Sequence, residues 1–225
     1  MLVHTGNGKG KSSSVFGVIG RALGWGHDVG LVQYIKGTWK TGERNFFKQF
    51  EPGLRWHTMG EGFTSDTQDR QRDIAAAKAA LHVSAEMLSS GDFDLIVLNE
   101  INIVLRYGYL TVEQVLDVLA AWHQRTRVIL TGRDAKPELI EAADLVTEMK
   151  EIKHPFQQGI KAKQGNDFWR SLPATKEAKV RRHQKSVYLC GDIKHNPRRR
   201  CLIKALKGNP GQRESADNPE LYPQL

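Results

Sequence analysis

Near the amino terminus, Thr5-Gly6-Asn7-Gly8-Lys9-Gly10-Lys11-Ser12-Ser13 combines closely spaced glycines with a lysine and hydroxyl residues. Glycines let a backbone turn its N–H groups toward an anion, and the free N–H groups at the start of a helix join them. Lys11 would add a point charge for terminal phosphates and Ser12 a hydroxyl for Mg2+ or Mn2+. The spacing departs from the common phosphate loop G-x-x-x-x-G-K-[ST]. Counted back from Gly10-Lys11-Ser12, the first glycine falls on Thr5, and Gly6 stands one residue too near. The physics of an anion cradle survives that shift. A dinucleotide-binding loop fits less well, because Gly6-Asn7-Gly8 lacks a third glycine at the right offset and Lys11 has no role there. Gly6, Asn7, Gly8, Lys9, Gly10, Lys11 and Ser12 are therefore the expected nucleotide site, with a nucleoside triphosphate as default ligand.

A phosphate loop usually works with an acid at the end of a hydrophobic strand. Asp94-Leu95-Ile96-Val97-Leu98-Asn99-Glu100 has that form, with Asn99 where an aspartate is expected. An amide can hydrogen-bond a metal-bound water but brings no negative charge to the cation. Glu100 is then the expected metal partner, alongside Ser12.

The elements that must hold these residues alternate two periodicities. Short β-branched runs give strand candidates at 2–4, 29–35, 54–58, 93–98, 127–131 and 145–149. Apolar residues recurring every three or four positions give helix candidates at 11–23, 44–50, 67–88, 112–122 and 137–142. Nearly unbroken apolar strands between helices predict an α/β fold with a mainly parallel sheet flanked by helices. Asp66 or Thr67 is the expected cap of the long central helix. Thr111 with Gln114 imitates a capping box, and Pro137 suits a first helical turn.

Composition limits the partners. The net charge of +8 looks like a nucleic-acid footprint, but residues 166–225 carry 13 Lys or Arg against 6 Asp or Glu, net +7, leaving +1 for the body. Basicity thus says nothing about what the body binds. Residues 169–225 form an irregular basic extension, with Pro173, Pro197, Pro210, Pro219 and Pro223, expected to be disordered or weakly docked. Its Arg181, Arg182, Lys185 and residues 198–200, near Trp169 and Tyr188, are the one place where nucleic-acid contact is conceivable. Cys190, His195 and Cys201 fall one ligand short of a zinc site. With two cysteines, no long apolar run and only Leu2 and Val3 between Met1 and His4, the chain reads as soluble and cytoplasmic, with no membrane partner.

The loop Thr5-Gly6-Asn7-Gly8-Lys9-Gly10-Lys11 resembles that of the cob(I)alamin, or corrinoid, ATP adenosyltransferases of bacterial cobalamin pathways. Further segments carry the likeness: Val32-Gln33-Tyr34-Ile35-Lys36-Gly37, Thr41-Gly42-Glu43-Arg44, Met59-Gly60-Glu61-Gly62-Phe63-Thr64, Thr67-Gln68-Asp69-Arg70, Leu105-Arg106-Tyr107-Gly108-Tyr109-Leu110, Thr131-Gly132-Arg133 and Val146-Thr147-Glu148-Met149, then Lys153-His154-Pro155-Phe156. It spans about residues 2–168, so residues 1–168 are expected to form the P-loop adenosyltransferase domain.

The resemblance implies a RecA-like P-loop fold, a homodimer, and transfer of the 5′-deoxyadenosyl group of ATP to reduced cobalt with release of triphosphate. It implies ATP and a corrinoid as substrates and leaves room for an electron-donating reductase as partner. It makes Lys11 and Arg133 contacts to the departing triphosphate, and Phe63 an aromatic residue beside the corrinoid that displaces its lower axial ligand. Lys36 and Arg44 would touch nucleotide or corrinoid amides, or simply face water. Two departures, Asn99 for aspartate and Ser65 for a tryptophan after Gly62-Phe63-Thr64, predict attenuated activity. Two alternatives remain: a P-loop ATPase or kinase acting at the γ-phosphate, and a degenerate nucleotide- or corrinoid-binding module without turnover.

Overall fold

The computed structural model describes residues 1–35, 37, 41–60, 69–154, 157 and 165. Six strands, β1 (Leu2–Thr5), β2 (Val29–Gln33), β3 (Leu54–Thr58), β4 (Leu95–Asn99), β5 (Arg127–Thr131) and β6 (Leu145–Glu148), form one sheet in the order β3-β2-β4-β5-β1-β6. Every pairing is parallel, so the expected α/β architecture is the one observed. The extension at 169–225, including its basic residues, Cys190, His195 and Cys201, lies outside the described residues.

Both faces of the central strands are buried, as their unbroken apolar runs require, whereas β6, at one edge of the sheet, is exposed along its length despite its apolar Leu145 and Val146. In β4, Leu95 and Val97 point into one core while Ile96 and Leu98 point into the other. In β5, Ile129 joins the first and Val128 and Leu130 the second. This is the two-residue period of a strand read on both sides. Helix α1 (Lys11–Gly24) covers the first face with Val15, Phe16 and Ile19, a spacing that lines one side of a helix. Phe47, from α2 (Gly42–Phe47), stacks on Phe16 at 5.6 Å between ring centroids. The other face is covered by α3 (Arg70–Ser90), α4 (Ile101–Arg106), α5 (Val112–Ala120) and α6 (Pro137–Glu141).

Local sequence signals set several helix ends as expected. Thr111 and Gln114 form a reciprocal capping box, and Pro137 opens α6. Others need correction. The cap of α3 is Asp69, not Asp66 or Thr67, and its carboxylate accepts from the N–H groups of Gln71 and Arg72. The helix expected at 44–50 is α2 followed by a 3-10 turn over Lys48–Phe50. Helix α4 was not anticipated at all.

The strand order positions the site. Strand β1 lies between β5 and β6, while the chain leaving it crosses β5 and β4 to reach β2. The segments after the carboxyl ends of β1, β4, β5 and β6 therefore gather at one edge, which is where ligands bind in open α/β sheets.

Candidate active site

The glycine-rich loop joins β1 to α1. Gly6 adopts φ 93° and Gly10 φ 115°, conformations that glycine enters without penalty. A Cβ on Gly6 would lie 2.5 Å from the carbonyl oxygen of Met149, so a bare backbone is required there for close approach as well. Met149, just past β6, is laced to the loop: its N–H donates to Thr5 O at 2.9 Å, and its carbonyl accepts from Gly8 N at 2.6 Å.

Lys11 opens α1 but is not a free point charge. It is only 7% exposed, and its Nζ donates to the carbonyls of Gly6 and Gly8 at 2.6 and 2.7 Å. An ammonium has three N–H donors, so one remains after the loop is bridged. Burial pulls its pKa below the ordinary 10.5; the Glu100 carboxylate pulls it back up, the Arg133 guanidinium pushes it down, and Asp134 raises it. Those influences place Lys11, Glu100 and Arg133 in one electrostatic neighbourhood.

Asn99 ends β4 with its side chain buried. Its Oδ1 accepts from Ser12 Oγ at 3.3 Å and from Thr131 Oγ1 at 2.9 Å, while its Nδ2 meets no acceptor among the described residues. Glu100 follows at φ 66°, a left-handed conformation uncommon outside glycine, and its N–H donates to Thr131 Oγ1 at 2.9 Å. That turn ends β4 and starts α4.

Arg133, after β5, is exposed and lines a cleft of about 450 Å³ with Asn7, Glu148, Lys150 and Glu151. Its loop is braced twice. Arg106 pairs with Asp134 at 3.1 Å, and the N–H of Ala135 donates to Thr5 Oγ1 at 3.0 Å. Beneath the site, His4 Nδ1 lies 3.0 Å from Ser14 Oγ, whose proton goes to Lys11 O at 2.8 Å, so the ring nitrogen donates. Burial holds the His4 pKa below 6.5, against a hydrogen bond to the Lys11 backbone that raises it.

The loop residues Gly6 to Ser12, Glu100 and Arg133 are thus gathered at one edge. Phe63, Ser65 and Lys36 lie outside the described residues. Arg44 faces the protein: its guanidinium sits 4.9 Å from the centre of the Trp56 ring, and Nη1 donates to Trp56 O at 3.5 Å. Met149 and Thr131 fall in segments that carry the family likeness, but neither has a role legible in the sequence: Met149 works through its backbone, and Thr131 reads as one more β-branched strand residue.

Among the described residues no group of three or more His, Cys, Asp or Glu converges on a point. A divalent cation would instead rest on hard oxygen donors suited to Mg2+ or Mn2+. The fit is good at Ser12: its proton is given to Asn99, which leaves the hydroxyl lone pairs available. No helix among the described residues is long and apolar enough to cross a membrane.

Comparison with known proteins shows the family. Residues 1–168 match the family model described as ATP:corrinoid adenosyltransferase BtuR/CobO/CobP. A corrinoid adenosyltransferase of Pseudomonas aeruginosa is 55% identical over 168 residues, 75% of this chain and 83% of the relative. Another from Sinorhizobium sp is 48% identical over 170 residues, 75% of this chain and 79% of that protein. The corrinoid adenosyltransferase CobA of Salmonella typhimurium is 41% identical over 168 residues, 75% and 85% respectively. The chain belongs to the ATP:corrinoid adenosyltransferase family.

Proposed function

We propose that the protein transfers the 5′-deoxyadenosyl group of ATP to the reduced cobalt of a corrinoid, releasing triphosphate, in cobalamin biosynthesis or salvage. The observation that carries this reading is the anchored Lys11. Two of its donors hold the loop shut on itself and the third is left for a phosphate oxygen, beside loop N–H groups and within the electrostatic reach of Arg133.

The chemistry asks little more of the chain. Co(I) brings its own electron pair to C5′ of the ribose, the Co–C bond forms, and the C5′–O bond breaks with its electrons leaving on triphosphate. No proton has to be removed, so the protein's work is positioning and charge stabilisation. Lys11, the loop N–H groups and Arg133 would meet the charge that gathers on triphosphate, and Gly6 through Gly10 would cradle it. Mg2+ or Mn2+, held by Ser12 and Glu100, would neutralise part of the same charge when bound. Phe63 is assigned to the corrinoid side, where removal of the lower axial ligand makes Co(II) easier to reduce. A homodimer in the cytoplasm, supplied by an electron-donating reductase, completes the proposal.

Asn99 favours an attenuated form of the reaction, because it removes one negative charge from the cation's surroundings. The test is anaerobic incubation with chemically reduced corrinoid, ATP and Mg2+. A light-sensitive adenosyl product with equimolar triphosphate is expected. ADP in place of triphosphate would identify a γ-phosphate enzyme, and binding without turnover would identify a binding module.

A further inference from the structure

The carboxyl ends of β4 and β5 meet at one hydroxyl. Thr131, fully buried at 0% exposure, accepts the N–H of Glu100 at 2.9 Å and lies 2.9 Å from Asn99 Oδ1. A hydroxyl has one proton. With Glu100 N–H donating to it, that proton goes to Asn99. Because Ser12 Oγ also donates to Oδ1, at 3.3 Å, the amide has its oxygen turned toward both hydroxyls and its nitrogen turned away from them. The chain of contacts runs Glu100 N–H, Thr131, Asn99, Ser12, and links the two expected metal partners.

Thr131 also acts on the backbone. Glu100 holds φ 66° without being glycine, a conformation that persists only where surroundings enforce it. The Thr131 hydroxyl accepts the N–H of Glu100 itself, and Gly132 at φ 135° lets the next backbone unit pass close to Asn102, where a Cβ would come within 2.8 Å.

We propose that Thr131 is a positioning residue for cation-assisted nucleotide binding: through one hydroxyl it fixes the direction of the Glu100 carboxylate and the orientation of the Asn99 amide, and thereby that of the Ser12 lone pairs. It touches neither nucleotide nor cation. This rests on the nucleotide reading given above, and the experiment separates the two.

Affinity for ATP is measured by calorimetry with Mn2+ and, separately, with EDTA, on the wild-type chain and on Thr131→Val and Thr131→Ser. Circular dichroism checks folding, and Thr131→Ala replaces the valine variant if that one does not fold. The wild type is expected to bind ATP more tightly with Mn2+. Thr131→Val should lose about 10- to 100-fold in the Mn2+ arm, the usual effect of removing a partner that orients metal ligands. Its EDTA arm should stay within about twofold, which a general loss of structure would not allow. Thr131→Ser, keeping the hydroxyl, should restore the Mn2+ response. An unchanged Mn2+ response in the valine variant overturns the inference, as does a serine variant as weak as valine, or a wild type indifferent to Mn2+. A wild type that binds no ATP in either arm overturns the nucleotide reading itself.

Discussion

The amide of Gly8 donates to the carbonyl of Met149 at 2.6 Å, so the glycine-rich loop is held from outside by the chain leaving β6 as well as from inside by Lys11. Space there is the limit. A Cβ on Gly8 would fall 2.7 Å from Lys150 O, and one on Gly6 would meet Met149 O at a positive φ. Gly6→Ala is expected to destabilise the fold by about 1–3 kcal/mol and to abolish ATP binding. Gly17→Ala is the contrast. Gly17 sits inside α1 with nothing within 4 Å of a built Cβ, so alanine there should raise stability by about 0.5–1 kcal/mol. Thermal unfolding of the two variants checks both signs.

Lys11→Met keeps much of the side chain's bulk and removes both its bridges and its charge. Turnover should fall by about 100- to 1000-fold, the effect of deleting one preorganised donor to a developing oxyanion. The loop should also loosen, because the carbonyls of Gly6 and Gly8 lose their donor. Hydrogen exchange of the amides of residues 6–10 measures that loosening independently of activity.

Asn99→Asp places a negative charge where Nδ2 now stands without an acceptor among the described residues. The hydroxyls of Ser12 and Thr131 already donate toward this side chain, so the carboxylate arrives in a site with two donors in place. The Mg2+ concentration giving half-maximal rate should drop by about tenfold or more. An unchanged Mg2+ titration would refute the reading of Asn99 as a weakened metal partner.

His4 sets a pH dependence whose sign can be worked out. Its pKa in the folded chain lies below 6.5 because burial disfavours the imidazolium. As pH falls below about 6.5, the unfolded chain takes up a proton that the folded chain refuses, so stability declines with acidification through the lowered pKa. Above 6.5 the residue is neutral in both states and contributes no slope. His4→Asn, which offers an amide N–H to Ser14 near the position of Nδ1, should flatten the acid limb in chemical-denaturation curves taken across that range.

Much of this was legible in the sequence because the central strands of the sheet are buried on both sides. Leu95, Ile96, Val97 and Leu98 serve two cores in alternation, and an apolar run bounded by helices admits few other readings. The glycine loop was legible for a similar reason, since few other roles use that density of glycine before Lys-Ser. Helix α4 was hidden by its composition. Ile101, Ile103 and Val104 look like more strand, and the break is made by Glu100 in a left-handed turn that its residue type does not announce. Met149 and Thr131 were hidden by mechanism: one contributes a carbonyl that every residue has, the other a hydroxyl whose partners are apparent only when β4 and β5 lie side by side.

Strand β5 separates the strand ending in the glycine loop from the strand ending in Asn99, so those two halves keep their alignment through an intermediary. One extra residue inside Arg127–Thr131 would turn every later side chain of that strand to the opposite face. The same insertion at residues 122–125, ahead of the strand, falls in connecting chain and leaves the alternation intact. Tolerance to lengthening should therefore change abruptly between neighbouring positions, making this short stretch the ruler against which the two sides of the candidate site are measured.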